Sequence, residues 1–156
     1  MSLAELAWLA LAAYAAHILE EYTLDWRNWA RAVIRLPVEW SDFYVTNAVV
    51  VVLGIVQAGL APGMALAPLS FAALMLINAV FFHILPVLRT GGRFSPGLGT
   101  ALLFFLPLGG AIFLQAHAEG RLTAASAAGA FAIGAGLMAF PVLLLLLKGR
   151  PYFQQG

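Results

Sequence analysis

Two histidines and two adjacent glutamates are the residues of this chain best suited to chemistry. His17, Glu20 and Glu21 stand in the run HILEEYTLDW, and His83 ends the run NAVFFH. At i, i+3 and i+4 the first three project from one side of a helix. Imidazole and carboxylate together suit zinc, iron or manganese, so the group His17, Glu20, Glu21 and His83 could hold a divalent metal. A metal held there would activate water or polarise a substrate. The same groups without a metal form an acid/base set, because adjacent carboxylates in a low dielectric do not ionise equally. Two further readings are a relay for protons or ions, and a hydrogen-bond network between helices that only fixes packing.

The elements that carry these residues are apolar. The chain has 156 residues, 63% of them hydrophobic and 10% charged, with a mean hydropathy of +0.93. Soluble domains carry about 25% charged residues. The apolar residues fall into five runs, at about 3–22, 41–60, 68–88, 97–117 and 123–147, each of the length that crosses a bilayer. The reading is an all-α bundle of five transmembrane helices forming one domain, 1–156. The first run lacks a basic leader and carries Glu5, so it is expected to stay in the mature protein and not to be cleaved as a signal peptide. Pro107 and Pro141 lie inside runs four and five and predict kinks there. Ser126, Ala130 and Gly134 form a small-residue stripe suited to close helix packing.

Basic residues set the expected orientation. Arg27, Arg31, Arg35, Arg89, Arg93, Lys148 and Arg150 fall on one side of a five-span chain, and only Arg121 falls on the other. By the positive-inside bias the N-terminus lies outside and the C-terminus in the cytoplasm of a bacterial inner membrane. Residues 25–40 are too short and too charged to span. They predict an interfacial helix, with Trp26 and Trp29 toward the apolar side and Arg27, Arg31 and Arg35 as a stripe toward lipid phosphates. A sharper use of that rim is to hold an anionic head group, with Arg31, Arg89 and Arg93 as substrate contacts.

With this topology the polar residues reach similar depths. His17, Glu20 and Glu21 lie in the last turns before the cytoplasmic surface. Asp42 sits at the edge of the second run, with Asn47 one to two turns inside it. Asn78 lies near mid-membrane, and His83 about a turn and a half before Arg89. A charge at the centre of a span costs about 2.5–3.5 kcal/mol, so a pair of carboxylates calls for a reason. Pro86 frees the carbonyl of Phe82 beside His83, predicting a kink or an unwound turn. Gln57 and Gln115 read as packing groups, His117 and Glu119 as solvated loop groups, and Ser95 as an N-cap for the fourth run.

Other chemistries are excluded by composition. A net charge of +1 gives no case for nucleic-acid binding. With no cysteine there is no disulfide, thiolate metal site or cysteine nucleophile. GGRFSPGLGT is glycine-rich but matches no phosphate-binding loop.

HILEE at the end of the first run, followed by Asn47, NAVFFHI and RFSPGLGTALLFFLP, resembles the bacterial HXXEE-motif integral membrane family. The likeness runs from the first segment through the fourth. That family brings no established activity; the resemblance implies a site containing His17, Glu20, Glu21, Asn78 and His83. The combined expectation is a membrane-embedded metal enzyme acting from the cytoplasmic side on a lipid-like or anionic amphipathic substrate. Asn47 and Asn78 would contact substrate or steady the ligands, and membrane lipids would surround the bundle. The alternatives are a metal-free isomerase or cyclase with Glu20, Glu21 and His83 as its acid/base groups, and a small proton- or ion-coupled transporter. The last implies a homo-oligomer, because five helices enclose little volume.

Overall fold

The computed structural model describes residues 1–153 and is all-helical over them. Five helices are long and apolar enough to cross a membrane: α1 Leu3–Thr23, α3 Trp40–Leu60, α4 Leu66–Arg89, α5 Leu98–Ala118 and α6 Ala124–Lys148. A short helix, α2 Trp26–Val33, links the first two. The helices thus match the five apolar runs to within a few residues.

Helix α4 is the axis of the bundle, packed by α1, α3, α5 and α6. Its contact with α6 is close because α6 presents small residues to it. A Cβ on Gly134 would lie 2.8 Å from the Leu74 amide nitrogen and 3.0 Å from Ala73 Cβ, and Ala130 is fully buried. That half of the small-residue stripe packs helices, as its spacing predicts. Ser126 instead closes a capping box with Thr123 at the start of α6.

Side chains tie the ends together. At the α2 end, Lys148 Nζ lies 2.8 Å from Asp42 Oδ1, joining α6 to α3. At the opposite end the Leu3 amide donates to Glu119 Oε1 at 2.9 Å, and Arg121 donates to the Ala61 carbonyl at 2.9 Å. Glu119 is therefore a cap for α1, not merely a solvated loop group. Gln57 donates to the Ala7 carbonyl at 2.8 Å, the packing bond expected of it.

Helix α2 is amphipathic, and its Trp29 and Ala30 are buried with Val38 against Leu145 of α6. Its arginines differ from expectation. Arg27 and Arg31 both pair with Glu39, which begins α3. Their guanidinium hydrogen bonds and charges hold the Glu39 carboxyl below the usual glutamate range. Arg35 is off the stripe altogether, since α2 ends at Val33 and Arg35 takes a left-handed φ of 55°. Arg27 and Arg31 thus fasten α2 to the start of α3 instead of standing as a free stripe.

Prolines shape α4 and α5 by widening the helix ahead of them. Pro86 and Pro107 each follow a π-helical stretch, Ala79–Ile84 and Ala101–Phe105. Neither proline can donate to the carbonyl four residues back, at Phe82 and Leu103. The residue before each proline donates one place further back instead, Leu85 to Val80 and Leu106 to Ala101. The feature at Pro86 is thus a wide turn and not a simple kink, and His83 rides on it. Helix α6 continues through Pro141.

Candidate metal centre

Helix α1 delivers His17 and Glu21, and the π-turn of α4 delivers His83. Each offers one ligand atom, and the three atoms lie within 4.8 Å of one another. His17 Nε2 is 3.5 Å and His83 Nε2 is 3.6 Å from the same oxygen, Glu21 Oε1. These separations exceed hydrogen-bond length, which ends at about 3.2 Å. They suit two ligands on one ion, because bonds of about 2.0–2.2 Å at a tetrahedral angle place donor atoms roughly 3.3–3.6 Å apart. Both imidazoles are fully buried and Glu21 is 5% exposed.

The far sides of the rings are held by hydroxyls. His17 Nδ1 lies 2.8 Å from Thr100 Oγ1, and His83 Nδ1 lies 3.1 Å from Ser95 Oγ. The single hydroxyl proton of Thr100 is committed to Glu20 Oε2, at 2.6 Å. Thr100 therefore accepts, and His17 Nδ1 must be the nitrogen that carries hydrogen. Ser95 Oγ also lies 3.4 Å from the Phe82 carbonyl, the one that Pro86 leaves free. Each ring turns its Nε2 toward Glu21, and neither Nε2 has a hydrogen-bond partner. Two unpartnered imidazole nitrogens and a carboxylate oxygen converge on one buried point, a set that could hold a metal ion.

Packing fixes this geometry. Phe105 lies over the His17 ring at 4.3 Å between centroids, Tyr14 meets its edge at 5.9 Å, and the two imidazoles meet edge to face at 4.8 Å. Gly97, with φ of +92°, passes directly above the cluster. A Cβ there would sit 2.5 Å from His83 Cε1, 2.7 Å from His17 Cε1 and 3.0 Å from Glu21 Cγ.

The structure separates the two glutamates. Glu20 is turned to the start of α5, where it accepts from the Gly99 amide at 3.1 Å, the Thr100 amide at 2.7 Å and the Thr100 hydroxyl. It is an anion seated on a helix N-terminus, and it stands outside the metal-competent group in which the sequence reading placed it. Ser95 is likewise not the N-cap of α5, a position held by Gly97; it is buried under His83. Thr100, Gly97 and Tyr14 escaped the sequence reading. The signal was present in SPGLGT, which reads as a capping turn until its closeness to α1 is known.

Beside Glu21 lies a cavity of about 90 Å³. Asn47, Asn78 and Asp42 line it, so the asparagines face a chamber next to the ligands and do not touch them. Asn47 donates to the Phe43 carbonyl at 3.0 Å. Asn78 is 8% exposed, and its Oδ1 has no hydrogen-bond partner. The expected substrate arginines are elsewhere: Arg31 is on Glu39, Arg89 lines a separate surface pocket with Thr90, and Arg93 is exposed in the α4–α5 loop.

The bundle and its buried His–Glu–His group define a helical protein of membrane-spanning character with a metal-competent centre. Residues 8–112 match the family described as protein of unknown function with HXXEE motif, and the chain belongs to that family. No curated protein and no solved structure matches the chain.

Proposed function

We propose that this protein is a metal-dependent enzyme of the bacterial inner membrane, acting from the cytoplasmic side on a lipid-like substrate. The observation that carries the reading is the convergence of His17 Nε2, His83 Nε2 and Glu21 Oε1 on one buried point, with neither imidazole nitrogen hydrogen-bonded. Two imidazoles and one carboxylate suit zinc, iron or manganese. A metal of this kind, when bound, supplies a Lewis acid that polarises a substrate oxygen or acidifies water. The chain's own residues supply the rest. Thr100 sets the His17 tautomer, Ser95 holds the His83 ring, Phe105 and Tyr14 pack around His17, and Glu20 pins the start of α5 above the site. Glu21 is both a ligand and part of the cavity wall, so the chamber meets the centre on the carboxylate side. The basic residues gathered at the α2 end support a cytoplasmic position for that end, with the N-terminus outside.

Metal analysis of protein purified without chelator tests the proposal. One zinc, iron or manganese per chain, lost in His17→Ala, Glu21→Gln and His83→Ala but kept in Glu20→Gln, is the expected result. A proton satisfies the same convergence, and this is the basis of the acid/base reading. Metal-free protein with an infrared or NMR signature of an imidazolium hydrogen-bonded to Glu21 would replace the metal enzyme with that alternative.

A further inference from the structure

The cavity beside Glu21 has a composition that selects its occupant. Among the described residues that line it, the charged ones are Glu21 and Asp42, and there is no lysine, arginine or histidine. Glu21 is directed at the imidazoles, and Asp42 is taken by Lys148 from outside. Trp26 Nε1 and Asn78 Oδ1 are then the buried polar atoms of this lining without a partner. Asn78, more than nine-tenths buried, lacks a partner for Oδ1, and either end of its amide can be turned to the chamber. Leaving a buried amide oxygen unpaired carries a desolvation cost. A ligand group that both gives and accepts a hydrogen bond would remove that cost.

The way in is also visible. A lipid-facing groove of about 310 Å³ runs between α3 and α6, and it shares Asp42, Thr46, Pro141 and Leu145 with the cavity. The two cavities meet at these side chains. Helix α6 packs mainly on α4, through Ala130 and Gly134, so its side toward α3 is loosely held. The Lys148–Asp42 ion pair crosses this slot at the α2 end, with Lys148 exposed.

We infer that the chamber binds a neutral, hydroxyl-bearing amphiphile, an alcohol head on an apolar chain, and admits it sideways from the lipid between α3 and α6. The hydroxyl meets the Asn78 amide beside Glu21. The chamber holds the head and a few carbons, and the rest of the chain leaves through the α3–α6 groove. An anionic head is disfavoured, because no cationic side chain lines the chamber among the described residues. This inference rests on the proposal that the chamber serves the metal-competent centre, and it names what that chamber takes.

The test uses the full chain in phosphatidylcholine nanodiscs and three photoactivatable probes with the same chain, an alcohol, a carboxylate and a phosphate monoester. The alcohol is expected to label α3 and α6 at the cavity wall, with both anions labelling far less. Asn78→Leu should lower alcohol labelling about tenfold, the loss of one buried hydrogen bond. As a check independent of that variant's folding, the chain lacks cysteine, so Asp42→Cys/Lys148→Cys can be bridged by a short bis-maleimide; bridging should block labelling of the inner wall. Labelling that is equal for the phosphate, or unchanged both by Asn78→Leu and by bridging, overturns the inference. His17→Ala separates this from the metal proposal, since it removes a ligand and leaves the chamber. Alcohol labelling that persists in a chain found to hold no metal supports the chamber and defeats only the metal. Metal-loaded protein that ignores the alcohol defeats the chamber alone.

Discussion

Replacing Gly97 by alanine should disable the centre with a single methyl group. Two costs add, and the structure separates them. Gly97 has φ of +92°, a region that L residues rarely occupy, and holding a non-glycine residue there costs about 1–3 kcal/mol. The new Cβ would also lie 2.5 Å from His83 Cε1, 2.7 Å from His17 Cε1 and 3.0 Å from Glu21 Cγ. All three of its nearest neighbours belong to the metal-competent group, and none is the free end of a flexible chain. Overpacking of this kind costs a further 1–3 kcal/mol, roughly, if the rings give way. Gly92 supplies the control, with φ of +99° and nothing within 4 Å of its would-be Cβ. Gly92→Ala should show the backbone cost alone. The difference between the two variants, about 1–3 kcal/mol in denaturant unfolding in detergent, then measures the crowding. Metal content should fall in Gly97→Ala and stay intact in Gly92→Ala. If Gly97→Ala matches Gly92→Ala in stability and retains its metal, the cluster is not closed over by Gly97 and the geometry described here is wrong.

Three more outcomes follow from the same contacts. Thr100→Val removes the hydroxyl that links His17 to Glu20 and should weaken metal affinity about 10–100-fold, with Thr100→Ser largely restoring it, as read by competition with a chromophoric chelator. Glu20→Gln should leave metal stoichiometry intact yet destabilise the bundle by about 1 kcal/mol through loss of an anion at the start of α5, whereas Glu21→Gln should abolish binding. The Glu39 carboxyl is held below its ordinary value by Arg27 and Arg31, so its pairing stabilises the chain above the unfolded-state value of about 4.3 and is lost as pH falls through the lower folded-state value. Tryptophan fluorescence from Trp26 and Trp29 should report loosening of α2 in that acidic window, and Glu39→Gln should show the loosened signal already at neutral pH.

The five apolar helices were legible because span length and hydropathy are local properties, and the bilayer leaves a chain few alternatives. His17, Glu21 and His83 were legible as a group because depth in a membrane can be counted from the span ends. Contacts that cross between helices were not. Arg27 and Arg31 read as a free stripe because nothing in residues 25–33 reveals that Glu39 comes back beneath them. Ser95 looked like an ordinary N-cap, and Thr100 carried no signal of its own. Their role depends on the α4–α5 loop crossing over α1, which is set by tertiary packing. Asn78 was singled out by its depth and by the family resemblance, and its unpaired Oδ1 became visible only beside the cavity.

The two glutamates of HILEE are best understood through helix geometry. At about 100° per residue, Glu21 stands roughly 40° from His17 on one side and Glu20 roughly 60° from it on the other. The carboxylates therefore look about 100° apart, toward different neighbours. His17 lies between them, and Thr100 joins its outer nitrogen to Glu20 while Glu21 meets its inner one. A carboxylate at i+3 alone would fix α5 but leave the cation point without charge. One at i+4 alone would supply the charge but leave Thr100 free to turn its proton toward His17 and reverse the tautomer. The adjacent pair resolves both demands on one helix: Glu20 sets which nitrogen of His17 is bare, and Glu21 gives that nitrogen something to share.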